Sequence, residues 1–107
     1  MNGLLNNNMI TVKIIDDKKI WEDFISTRVE ANFLQSWYWG EFQTRLGRKI
    51  HRTGFYKNDE LIGLMLSVEE TARRGKYLIV PGGPIIDWKN KNLVDIAFSE
   101  MKQIAQI

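Results

Sequence analysis

The stretch Phe33-Leu34-Gln35-Ser36-Trp37-Tyr38-Trp39-Gly40-Glu41-Phe42 constrains the chain most, because it carries five aromatic side chains in ten residues. An aromatic ring brings a large apolar area and a defined orientation, so such a run either builds a core or presents a recognition surface. Ser36 is placed to cap a helix, its hydroxyl accepting from the free amides of the first turn. In that helix Trp39, Phe42 and Leu46 share one face, while Trp37, Glu41 and Arg45 share another. Gly47 then ends it as a left-handed cap residue. The helical phase thus directs Trp39 and Phe42 to the core and leaves Trp37 and Tyr38 as candidates for a recognition surface.

A chain of 107 residues, 44% hydrophobic and 26% charged, has the length and composition of one globular core. It contains no cysteine, so it has neither a disulfide framework nor a thiolate site, which suits a reducing compartment. The longest apolar run, Leu61 to Leu66, falls far short of the ~18 residues that span a bilayer. Met1-Asn2-Gly3-Leu4-Leu5 lacks the basic start of a signal peptide. A soluble, cytoplasmic chain is expected. The net charge of +2 is too small to imply nucleic acid, but its distribution is uneven. No acid falls between Glu41 and Asp59, whereas Arg45, Arg48, Lys49, Arg52 and Lys57 all do. That window reads either as solvated surface or as a landing zone for an anionic ligand.

Taken in order, residues 1–9 are polar and are expected to form a frayed or disordered end. Ile10 to Ile15 alternates and is β-branched, predicting a strand. Asp17 caps a predicted helix over 18–29, which buries Ile20, Trp21, Phe24 and Ile25. The aromatic helix follows. Arg48 to Tyr56 and Leu61 to Glu69 are strands joined by a hairpin turn at Lys57-Asn58-Asp59-Glu60. Gly63 marks a bulge or a close backbone approach. After Arg73-Arg74-Gly75 a further strand covers Lys76 to Val80, and Pro81-Gly82-Gly83-Pro84 stops it. A short extended piece, Ile85 to Trp88, leads to a helix from about Lys91 with Leu93, Ile96, Ala97, Met101, Ile104 and Ala105 on its apolar stripe. The order is β-α-α-β-β-β-α: an α/β (α+β) class with a mostly antiparallel sheet and three helices. Its last helix runs to Ile107 without a stop signal, so residues 10–107 are expected to be an incomplete, truncated subdomain.

Most catalytic chemistries find little support. The single histidine, His51, has no CxxC, HExxH or EF-hand pattern around it, so no metal is expected. Ser26, Ser36, Ser67 and Ser99 have only His51 as a candidate base and none lies in a nucleophile elbow. The acid pairs Asp16/Asp17, Asp59/Glu60 and Glu69/Glu70 lie by turns and strand ends, where solvated carboxylates are usual. RNA stacking on the aromatics is set against the helical phase that turns rings inward. Pro81-Gly82-Gly83-Pro84 offers few amides and stands about six residues before the last helix, so it disfavours a coenzyme A pyrophosphate loop. Its expected work is a sharp turn that lets a ligand or another segment approach the backbone.

Phe33-Leu34-Gln35-Ser36-x-x-Trp39-Gly40-Glu41-Phe42, Leu46-Gly47, Leu61-Ile62-Gly63 and Gly83-Pro84, in that order and spacing, resemble the opening of the Fem-type peptidoglycan aminoacyltransferases. The resemblance covers about residues 33–88, and more loosely 10–107. It implies a parent about three times longer, built of two GNAT-like subdomains and using no coenzyme A or other cofactor. It implies transfer of an amino acid from aminoacyl-tRNA to a peptidoglycan precursor, nucleotide-linked or lipid-linked, to build the interpeptide bridge. In the family a lysine on the helix after the tryptophan contacts the precursor's phosphate, and that position is Gln43 here. Arg45 or Arg48 would then supply the charge.

The expected substrate-binding residues are therefore Trp37, Gln43, Arg45, Arg48, Gly83 and Pro84, with no catalytic residue in this chain. The tRNA would be engaged through the missing part, and the chain would be peripheral to the membrane at most. A truncated edge left bare is expected to give a dimer or a disordered C-terminus. The rival readings are a GNAT-like N-acyltransferase with another donor and a non-catalytic module binding an anionic partner through Arg45 to Lys57.

Overall fold

A computed structural model describes residues 9–106. The frayed end expected at residues 1–9 lies, but for Met9, outside the described residues, as does Ile107. Strand β1 covers Ile10–Ile14, helix α1 Lys18–Ser26 and helix α2 Trp37–Arg45. Strands β2 (Ile50–Lys57), β3 (Glu60–Ala72) and β4 (Gly75–Ile79) follow, and helix α3 runs from Lys91 to Ala105. The four strands form one antiparallel sheet in the order β1-β2-β3-β4. The chain is thus α+β, with the element order that its hydrophobic periodicities predict.

Each face of the sheet builds its own core, because alternate strand residues point to opposite sides. On one face Leu64, Leu66 and Val68 of β3 meet Trp21 and Phe24 of α1, with Trp37 and Trp39 of α2 packed alongside. On the other, Phe55 and Met65 meet Leu93, Ala97 and Ile104 of α3, together with Ile86. Burying side chains of this size stabilises by about 1.5–3 kcal/mol each.

Local chemistry fixes the element ends. Asp17 accepts from the Lys19 and Ile20 amides, and Ser36 from the Trp39 amide at 3.0 Å. Helix α1 stops at Ser26, three residues before the expected end, because Thr27 turns its amide and hydroxyl back onto the Phe24 carbonyl. Gly47 adopts φ +88° and closes α2 as expected. The β2–β3 turn places Asn58 and Asp59 at φ 52° and 66°, the left-handed pair that a two-residue hairpin requires. Gly63 serves both of its expected uses. The ladder slips at Phe55/Tyr56, and a Cβ on Gly63 would lie 2.7 Å from Ile86 Cγ2 and 3.2 Å from the Ile85 carbonyl. That approach lets Ile85 pair with Leu64 beyond the end of β4, through bonds of 3.1 and 2.8 Å.

Two burial expectations are corrected: Ile20, expected on the buried face of α1, is 44% exposed, and α2 is turned from its expected phase. Phe42 is not core: it is 47% exposed, while Trp37 is packed against the core with its ring edge on Trp21. The inward line of α2 passes through Gly40 and Gln43, so Trp37 and Trp39 flank the contact and Phe42 lies outside it. Two cations of the basic window are paired in the fold. Arg48 pairs with Glu70 at 3.1 Å and Arg52 with Glu41 at 3.1 Å, acids that lie outside the window in sequence.

Candidate functional site

The 3-10 turn Phe33–Gln35 has no expectation behind it, yet it organises the site. Asn32 accepts from the Leu34 amide, and Gln35 Oε1 accepts from the Asn32 amide at 2.9 Å, forming a capping box. Gln35 is buried, and its Nε2 donates to the carbonyls of both Gly82 and Gly83 at 3.1 Å. The indole N–H of Trp21 donates to the Gln35 carbonyl at 2.8 Å. Gly82 and Gly83 hold φ +71° and +76°, which glycine alone adopts without cost, and a Cβ on Gly82 would meet Gln35 Nε2 at 2.7 Å. The Pro81–Pro84 turn is therefore a docked element whose exit sets the course of residues 85–90.

Those residues wall a cleft of about 650 Å³ at the end of the sheet. Arg28 and Glu30 reach it from the loop after α1, Lys57 and Ile62 from the β2–β3 hairpin, and Ile85 to Asn90 with Leu93 from the start of α3. Arg28, Lys57 and Lys89 make no ion pair among the described residues. Asp87 accepts from the Lys89 amide at 3.0 Å and Asn90 from the Leu93 amide at 3.1 Å, so consecutive side-chain caps shape this wall. Trp88 stands 55% exposed at the wall, its ring edge against Phe98.

A second cleft of about 300 Å³ lies beside α2, lined by Leu34, Trp39, Gln43, Arg48, Val68, Glu70, Ile79 and Pro81. Gln43 is buried and its Oε1 accepts from Arg48 Nη1 at 2.7 Å, while Arg48 Nε faces Glu70. Gln43 and Arg48 are thus brought together, and Pro81 places the glycine turn between the two clefts. Arg45 is exposed in the last turn of α2. Trp37 lies on the other flank of α2, where the Arg52 guanidinium stacks on its ring at 3.4 Å. Arg52 Nη2 donates to the Trp37 carbonyl at 2.9 Å and to Glu41, and burial draws this guanidinium below its ordinary value against the pull of Glu41. Pro84 is buried. The six expected residues therefore do not converge on one point.

His51 faces Glu69 at 2.7 Å across β2 and β3, and that hydrogen bond holds the Glu69 carboxyl below its ordinary range. Ser67 opposes His51 in the ladder but is fully buried, its hydroxyl without a partner among the described residues, so no substrate reaches it as a nucleophile. Among the described residues no group of three or more His, Cys, Asp or Glu is placed to hold a metal ion, and no helix is long and apolar enough to cross a membrane.

The open cleft of this α+β scaffold thus gathers three cations, Arg28, Lys57 and Lys89, and two carboxylates, Glu30 and Asp87, from separate segments of the chain. The family model for the FemAB family matches residues 17–106, and the chain belongs to that family. Its members are aminoacyltransferases that serve peptidoglycan interpeptide-bridge formation. A search of curated proteins finds no match.

Proposed function

We propose that this chain supplies the precursor-binding part of an aminoacyltransferase that moves an amino acid from aminoacyl-tRNA to a peptidoglycan precursor. The observation that carries the reading is the cleft of about 650 Å³ in which Arg28, Lys57 and Lys89 make no ion pair among the described residues. A precursor built of phosphates and a peptide with carboxylates presents the anions that such cations hold, and each charge-assisted bond is worth about 1.5–3 kcal/mol. Trp88 offers an apolar face beside them, and Asp87 and Glu30 are the carboxylates within reach of an amine in the same cleft.

The reaction is the aminolysis of an ester. The acceptor amine attacks the aminoacyl carbonyl, the tRNA hydroxyl leaves, and the proton lost by the amine must pass to the leaving oxygen or to a carboxylate. Two substrates held in alignment account for much of such a rate, so this chain's contribution is to bind and orient the acceptor. The donor would be held by a further part of the parent protein, in the cytoplasm. Membership of the FemAB family supports this division without specifying the chemistry.

Calorimetric titration with the nucleotide-linked precursor tests the reading. Binding should weaken with salt, and Lys57→Gln and Lys89→Gln should each raise Kd by about tenfold to a hundredfold. Binding that is absent, or indifferent to both substitutions, would sink it.

A further inference from the structure

We infer that Gln35 is a positioning residue for the large cleft, fixing through its carboxamide the segment that forms the cleft wall. One side chain joins the two sequence signatures. Its Oε1 closes the capping box on the Asn32 amide, while its Nε2 donates to the Gly82 and Gly83 carbonyls, 47 and 48 residues away. Both ends are used inside the protein, and burial keeps the side chain out of a ligand's reach. Gln35 is 2% exposed, which shields its own end of these part-buried bonds from water. The glycine turn that it holds leads directly into Ile85, whose pairing with Leu64 starts the wall. A small displacement at Gly82 and Gly83 is carried into Ile85 to Asn90, because Pro84 stiffens the link between them. The inference rests on the proposed reading only in naming the precursor as the cleft's occupant.

Gln35→Glu is the selective test. Glutamate keeps the acceptor for the Asn32 amide but turns an oxygen, in place of the donor, toward two carbonyl oxygens. Gly82→Ala presses on the same contact from the other side, with its Cβ 2.7 Å from Nε2. Amide hydrogen exchange and precursor titration on the intact chain read the result. Losing two neutral bonds should speed exchange at the amides of 82–90 by about thirtyfold, with α1 and β2 unchanged. Precursor affinity should fall at least about tenfold in both variants while the far-ultraviolet dichroism stays that of the wild type. Unchanged exchange at 82–90 in Gln35→Glu would overturn the inference, and so would faster exchange there with undiminished affinity. If the wild type binds no precursor, the functional reading fails, and the exchange pattern alone decides whether Gln35 fixes the wall.

Discussion

Gly40 lies inside α2, where replacing glycine by alanine ordinarily gains about 1 kcal/mol. Here a Cβ would come within 2.6 Å of Arg52 Nη2, 3.2 Å of its Cζ and 3.1 Å of Ile50 Cδ1. A long side chain would normally swing aside, but Arg52 is pinned. Its side chain is 10% exposed, bonded to the Trp37 carbonyl and Glu41, and stacked on the Trp37 ring. Hydrogen bonds to a charged group are worth about 1.5–3 kcal/mol, and a desolvated cation–π contact adds up to about 2 kcal/mol. Even partial displacement therefore outweighs the helix gain. We expect Gly40→Ala to destabilise the protein by about 1–3 kcal/mol, at roughly 4–8 °C in Tm for each kcal/mol in a domain of this size.

The sign should reverse when Arg52 is gone. In an Arg52→Met background the obstacle is absent, and Gly40→Ala should be neutral or stabilising by up to about 1 kcal/mol. The coupling between the two sites would then reach about 2 kcal/mol or more. Urea unfolding followed by tryptophan fluorescence on the four members of the cycle measures it. Equal losses from Gly40→Ala in both backgrounds would refute the reasoning, since the limit would then be helix packing rather than the guanidinium.

Gly63→Ala should cost about 1–3 kcal/mol, because its Cβ meets the Ile86 side chain and the Ile85 backbone, neither of which can move without opening the sheet. Denaturant unfolding checks this, and a neutral substitution would deny that Ile85 docks on β3. The depressed Glu69 carboxyl contributes stability that is complete above its ordinary value of 4.5 and is lost as pH falls through the lower value it has in the fold. Glu69→Gln should therefore flatten the acid limb of the stability–pH curve while leaving its neutral and alkaline course parallel to wild type. An acid limb as steep as that of the wild type would assign the pH dependence to other carboxylates.

The strands, the caps and the hairpin were legible because each rests on local chemistry: β-branched alternation in Ile10 to Ile15, a hydroxyl at Ser36, a left-handed residue at Gly47. The orientation of α2 was not. Helical phase tells which residues share a face, but not which face meets the sheet, and here a glycine and an amide lie innermost because Arg52 and Arg48 need them there. The pairing of the basic window was hidden for a related reason. A window without acids is a one-dimensional statement, and β3 brings Glu70 onto Arg48 from 22 positions away. The large cleft was illegible altogether, since Arg28, Lys57 and Lys89 share no local pattern and meet only through the fold.

Gln43 is the point at which the chain departs from the lysine that the resemblance leads one to expect, and the packing supplies a reason. The side chain is 7% exposed and accepts from Arg48 at 2.7 Å. A lysine there would set an ammonium against that guanidinium in a small cleft, where two like charges cannot both be solvated. The cleft therefore has room for one cation. This chain places it on Arg48 at the entry to β2, orients it with the Gln43 carbonyl and balances it with Glu70, so a phosphate approaching this cleft must compete with an acid already in place. Arg28, Lys57 and Lys89 of the larger cleft make no ion pair among the described residues, although Glu30 and Asp87 share its lining. On the proposed reading, the unpaired state of those cations is what favours the larger cleft over the α2 face as the place for an anion.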